Sequence, residues 1–111
     1  MSALSVPAPV AALLRRLRGA ILSFPWVDRV VLYGSFAKGN WREDSDIDLA
    51  VFLSRGTPCG LEQYITLSRL CRSADYDVQI QIFSADELEQ PCGIVEEVAA
   101  YGVDLAGLDL L

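Results

Sequence analysis

Two short polar groups in this chain combine residue types and a spacing that could perform chemistry. The first is the pair Gly34 and Ser35, and the second, after ten intervening residues, is the pair Asp46 and Asp48. A Gly-Ser turn offers backbone N–H groups and a hydroxyl to phosphate, and two carboxylates offer oxygen ligands to a hard cation. Each pair alone is common in proteins. Together they indicate a site that handles a phosphate bound to metal ions.

The acidic pair begins a predicted β-strand over residues 46–53. Its odd positions are apolar, starting with Ile47 and Leu49, and its even positions start with Asp46 and Asp48; this alternation is typical of a strand. Residues two apart on a strand point the same way, about 6.5–7 Å apart. Two carboxylates so placed can bind one Mg²⁺ ion, or two ions about 3.5–4 Å apart. The same spacing on a helix would put them on different faces.

Another predicted strand, over residues 29–33, leads into the Gly-Ser turn. Gly34 lets the backbone approach a ligand closely. Ser35 is expected to cap a brief helical turn that extends through Lys38. The free backbone N–H groups at the start of this turn would attract phosphate. Lys38 and Arg42 are the only cations between the two halves of the motif. Either could contact a triphosphate, although Lys38 is equally well explained as a solvated charge.

Two other residues of the connecting loop have a plainer explanation than ligand binding. Trp41 could stack on a nucleobase, but an aromatic side chain beside a strand more often packs on the core. Asp44 could be a metal ligand, but it lies in the connecting loop and is better explained as a loop cap.

A third carboxylate is expected from a later strand over residues 76–82, where apolar and polar residues again alternate. Asp77 lies at the start of the polar face and is the predicted third ligand. A solvated sheet edge would explain the same pattern. Only the presence of the Gly-Ser and Asp-x-Asp groups elsewhere in the chain favours Asp77 as a metal ligand. Asp75 is a weaker candidate because it precedes the alternating run.

These residues resemble the signature of the DNA polymerase β-type nucleotidyltransferase superfamily. The stretches LYGSFAKG and DSDIDLAV are most similar to its minimal, single-domain branch, the MNT proteins. The resemblance implies that Asp46, Asp48 and Asp77 are the catalytic metal ligands, for two Mg²⁺ ions, and that Gly34 and Ser35 contact phosphate. It also implies transfer of a nucleoside monophosphate from a nucleoside triphosphate, commonly ATP.

The resemblance also implies a partner protein. Many MNT proteins are antitoxins that inactivate a helical HEPN-domain ribonuclease toxin by adenylylation, which makes a HEPN toxin the expected acceptor and a hetero-oligomer the expected assembly. Two other functions stay open. One is transfer to a small molecule, such as an aminoglycoside, at a site completed by another subunit. The other is a non-catalytic module that keeps its nucleotide affinity and neutralises a partner by contact.

Composition narrows the class of protein. The 111 residues predict one domain, residues 1–111, and a hydrophobic content of 52% leaves apolar surface for a partner. A net charge of −6 with no His argues against binding long nucleic acid. Three cysteines without metal-ligand spacing indicate reduced thiols and a cytoplasmic location. Neither a secretory signal nor a membrane-spanning run is evident.

Helical periodicity supplies the remaining elements. Helices are predicted over residues 10–22, 60–71 and 94–101, and a capping box at residues 84–87 opens a further helical segment. The order αβαβαβα predicts an α/β (α+β) fold, in which a small mixed sheet of about three strands is flanked by helices and buried on one side. The resemblance implies that this is the nucleotidyltransferase palm.

Overall fold

The computed structural model describes residues 6–73 and 75–107. The elements follow one another along the chain as α1 (Ala8–Leu22), β1 (Val27–Tyr33), α2 (Ser35–Lys38), β2 (Ile47–Leu53), α3 (Leu61–Leu70), β3 (Val78–Ser84), a 3₁₀ turn (Ala85–Glu89), α4 (Ile94–Tyr101), β4 (Val103–Asp104) and a second 3₁₀ turn (Leu105–Gly107). The predicted single domain of residues 1–111 extends beyond the described residues at both ends. None of the described helices is long and apolar enough to cross a bilayer.

The strands form one mixed sheet in the order β3-β2-β1-β4. β1 is antiparallel to β2 and to β4, whereas β2 and β3 are parallel and are joined by α3 as the crossover helix. The predicted mixed α/β fold is confirmed. The sheet has one strand more than expected, because β4 contains only two residues and is too short to show an alternating pattern.

One face of the sheet carries the main hydrophobic core, under α1, α2 and α3. The helix α1 contributes apolar residues at helical spacing, and β2 contributes those at its odd positions. The fully buried side chains of this face include Val10, Leu14, Leu17, Ile21, Leu32, Ile47, Leu49, Val51, Leu53 and Leu67. Truncating a leucine at such a position to alanine typically costs about 2–5 kcal/mol. This packing fixes β1 and β2 as a rigid platform for the polar residues at their ends.

The opposite face is also covered in part, which corrects the expectation of a sheet buried on one side. A second cluster joins Val31, Ala50 and Phe52 of the sheet to Val95 and Val98 of α4. Beyond Asp48, the even positions of β2 are apolar as well. A strand that is apolar on both faces is typical of a strand buried on both sides. The helix α4 therefore lies on the face toward which Asp48 projects.

Candidate functional site

The two halves of the motif meet at the end of β1. Tyr33, the last residue of β1, pairs with Asp48 of β2, and Gly34 follows with φ of 75° and ψ of −154°. A β-carbon on Gly34 would lie inside contact distance of the Asp48 carboxylate, 3.1 Å from its Cγ. Only glycine has both the backbone freedom and the missing side chain that this approach requires. The turn and the acidic strand therefore form one site.

The turn continues as α2, a single helical turn with Gly34, rather than the predicted Ser35, as its N-cap. The first hydrogen bonds run from the Lys38 N–H to the Gly34 carbonyl at 3.0 Å and from the Gly39 N–H to the Ser35 carbonyl at 3.0 Å. The N–H groups that precede Lys38 in the turn have no partner within the helix, as at any helix start. Such groups are suited to an anion.

The acidic pair has the environment of a cation site. Asp48 is the second residue of β2 and is half-buried, whereas Asp46 precedes the strand and is exposed. Burial raises the pKa of the Asp48 carboxyl, and the negative charges of Asp46 and Glu97 raise it further. Oxygen donors that carry mutually repelling charges fit a hard divalent cation, which would offset this repulsion.

Asp77 lies beside the acidic strand, but its side chain does not complete a metal cluster. It directly precedes β3 and is exposed, and its carbonyl accepts a hydrogen bond from the Ile47 N–H at 2.9 Å. Its charge is not among those that raise the Asp48 pKa. Within residues 6–73 and 75–107, no three His, Cys, Asp or Glu side chains are grouped to hold a metal ion. The role of Asp77 as third ligand therefore stays a prediction.

Lys38 contacts α4 instead of pointing freely into solvent. Its ammonium donates a hydrogen bond to the Glu97 carboxylate and lies 5.3 Å from the centre of the Tyr101 ring. The hydrogen bond to Glu97 raises the pKa of Lys38. A triphosphate would have to compete with Glu97 for this cation. Sequence reasoning missed Glu97, which is 59 residues from Lys38 and carries no local motif.

The aromatic residues near the site pack against the fold. Trp41 stacks on Phe36 with ring centroids 5.7 Å apart; Phe36 belongs to the main core, and the partly buried Trp41 packs against it. Tyr33 is buried in the second cluster, and its pKa is raised by burial and by the charges of Asp48 and Glu97. Packing is therefore the observed role of Trp41 and Tyr33.

Comparison with known proteins identifies the family of this domain. A profile of the nucleotidyltransferase domain family matches residues 14–107, which include both halves of the motif. A Methanocaldococcus jannaschii protein, provisionally named a protein adenylyltransferase, is 29% identical over 79 residues, which are 71% of this chain and 79% of that protein.

Solved structures share the fold. A provisionally named nucleotidyltransferase of Sulfolobus solfataricus superposes with a TM-score of 0.59 at 21% identity, covering 96% of this chain and 97% of that one. A toxin–antitoxin structure with AMP-PNP superposes with a TM-score of 0.58 at 22% identity, covering 86% of this chain and 71% of that one. A mutant of the MntA–HpeT toxin–antitoxin pair superposes with a TM-score of 0.52 at 19% identity, covering 90% of this chain and 72% of that one.

Proposed function

Because this chain belongs to the nucleotidyltransferase domain family, we propose that it transfers AMP from ATP to a hydroxyl group of a partner protein, with Mg²⁺ held by Asp46 and Asp48. The contact between Gly34 and the Asp48 carboxylate carries this proposal. It joins a phosphate-binding turn to a cation-binding strand, and nucleotidyl transfer needs the two side by side.

Each residue of the site has a part in the reaction. The backbone at Gly34 and Ser35 binds the β- and γ-phosphates. Asp46 and Asp48 hold the ions, which supply charge neutralisation and lower the pKa of the attacking hydroxyl when bound. Asp77 orients that hydroxyl and accepts its proton. The hydroxyl oxygen bonds to the α-phosphorus, the bond to the β-phosphate oxygen breaks, and pyrophosphate leaves.

The acceptor is proposed to be a HEPN-domain toxin, neutralised by the transferred AMP. Larger relatives in the superfamily bind an antibiotic, a tRNA or a primer with a second domain, and the described residues form only the palm-like sheet and its helices. An acceptor that brings its own binding surface suits a site of this size. The solved toxin–antitoxin relatives, one of them with AMP-PNP, support this choice of partner class.

The test is transfer of labelled AMP to the candidate partner. Asp46→Asn and Asp48→Asn should each lower the transfer rate on the order of a hundred- to thousandfold, the usual effect of losing one electrostatic element. Asp44→Asn is the matched control, because Asp44 is an exposed loop carboxylate two residues before the pair. If the two site variants neutralise the toxin as well as wild type does, contact and not transfer is the function.

The cation requirement is tested separately by calorimetry. ATP should bind in the presence of Mg²⁺ and lose most of its affinity when a chelator is added. Without Mg²⁺ between the carboxylates and the triphosphate, the negative charges of Asp46 and Asp48 repel the nucleotide. Equal affinity in both conditions would refute the assignment of Asp46 and Asp48 as metal ligands. Asp77→Asn then tests the third ligand, since unchanged transfer would mean that Asp77 has no part in the reaction.

A further inference from the structure

The outer edge of β3 is an unpaired strand edge among the described residues. β3 ends the sheet order, with β2 on one side only. The Ile47 N–H donates to the Asp77 carbonyl, and Ile47 is in register with Val78. In a parallel ladder with this register, Gln79 and Gln81 bond to β2, while the residues between them direct their N–H and C=O groups outward. These outward-facing residues are Val78, Ile80 and Ile82.

This edge carries none of the features that keep sheet edges apart. The strand reads VQIQIFS, with no charged residue and no proline, and its register with β2 is uninterrupted by a bulge. Natural proteins usually protect an edge with lysine, proline, a bulge or a covering element. An uncharged edge of seven residues without these features is a template for pairing with another strand.

The crossover helix α3 adds apolar surface next to this edge. Leu67 and Leu70 of α3 pack in the same core cluster as Ile80 and Ile82 of β3. The same helix exposes a set of large apolar side chains, namely Leu61 (73% exposed), Tyr64 (41%) and Ile65 (38%). An open strand edge and an exposed apolar helix face therefore belong to one side of the molecule, which is the composition of an interface.

We propose that β3 pairs in antiparallel orientation with β3 of a second copy of this chain, which joins the two four-stranded sheets into one. A two-fold axis at Ile80 sets Ile80 opposite its counterpart, and both residues direct their N–H and C=O groups to the shared edge. Val78 then faces the partner subunit's Ile82, and Gln79 faces the partner subunit's Gln81. Apolar meets apolar and amide meets amide, as stable cross-strand pairs require.

The sequence of β3 is itself suited to this symmetry. About Ile80 the strand reads VQIQI, so each residue on one side of the axis has a residue of the same class at the matching position on the other side. A two-fold axis perpendicular to the sheet keeps both copies of α3 on the same face and runs them antiparallel. This self-complementarity of β3 favours a second copy over an unrelated strand.

The test uses two double variants and sedimentation equilibrium. Wild type should be dimeric. Gln79→Lys with Gln81→Lys places like charges opposite each other across the axis and should weaken the dimer by roughly tenfold or more in Kd. Gln79→Lys with Gln81→Glu places opposite charges there and should stay dimeric. Both variants share Gln79→Lys, so an effect of that lysine on the neighbouring Asp48 is common to them.

The lysine pair also makes the chain less acidic, since the net charge of wild type is −6. General charge repulsion would therefore make this variant associate more readily than wild type, and only local pairing predicts the reverse. Circular dichroism and thermal unfolding should show that both variants keep the fold. A monomeric wild type, or equal dimer affinity in the two double variants, would overturn the proposal. The result does not depend on whether AMP transfer is observed.

Discussion

Replacing Gly34 with alanine should separate the stability of the fold from the function of its site. The backbone there has φ of 75° and ψ of −154°, a region occupied almost only by glycine. Holding another residue in it costs about 1–3 kcal/mol. The added methyl group also takes the place of the Asp48 carboxylate. Gly34→Ala therefore strains the turn and displaces a predicted metal ligand at the same time.

The two effects have different magnitudes and different measurements. A loss of about 1–3 kcal/mol corresponds to a fall in Tm of about 4–12 °C in a domain near this size. Displacement of the carboxylate should lower AMP transfer on the order of a hundred- to thousandfold, as for the loss of one electrostatic element. Affinity for Mg²⁺-ATP, measured by calorimetry well below the Tm, should fall in parallel.

Gly56→Ala is the matched control. Gly56 also has a positive φ, of 87°, but a β-carbon there meets nothing within 4 Å. It lies in the loop after β2, at the opposite end of that strand from Asp48. This variant should lose about 1–2 kcal/mol of stability and keep both transfer and Mg²⁺-ATP affinity. If Gly34→Ala behaves the same way, the contact between the turn and Asp48 has no role in the chemistry.

Three further predictions follow from the charges and thiols. The raised pKa of Asp48 means that its ionisation disfavours the folded state, so stability is lost as pH rises through that pKa. In the absence of metal at neutral pH, Asp48→Asn should therefore have a higher free energy of unfolding than wild type. Denaturant unfolding measured at a series of lower pH values should show this difference shrinking as Asp48 of the wild type becomes protonated. Glu97→Gln should tighten Mg²⁺-ATP binding, mainly by releasing Lys38 from its ion pair, and calorimetry should show a smaller gain when Lys38→Met is also present. Burial raises the pKa of the Cys71 thiol to about 11, so thiol titration of the native protein at pH 8 should label the exposed Cys59 and Cys92 and leave Cys71 until unfolding.

Local patterns in the sequence predicted three of the four strands and the turn of the site. Alternation located β2 and β3 to within two residues at each end, and each predicted acidic residue lies at or directly before a strand start. Gly34 was predictable because a close backbone approach needs glycine. The capping box at residues 84–87 is formed, with the Ser84 N–H donating to the Glu87 carboxylate at 2.8 Å. These features depend only on neighbours in the chain.

The features that sequence reasoning missed depend on distant contacts. β4 is held by pairing with β1, since Val103 lies opposite Leu32 and Asp104 opposite Val31. Two residues carry no periodic signal of their own. The position of α4 on the second face follows from packing across the sheet, and Glu97 reaches Asp48 and Lys38 only because of it. The apolar even positions of β2 and the unbroken apolar run at residues 30–33 of β1 were the signals in the sequence that this face is covered.

The helix α4 has opposing effects on the fold and on the site. Its residues Val95 and Val98 close the second hydrophobic cluster and stabilise the sheet. Its Glu97 adds a negative charge near Asp46 and Asp48, which already repel each other. Among the described residues, Lys38 pairs with Glu97 rather than with either of these carboxylates. A ligand that brings positive charge into this site binds the folded state alone, so Mg²⁺ with ATP should stabilise the fold as well as start the reaction. The packed sheet can hold these repelling groups in place because its stability comes from other residues.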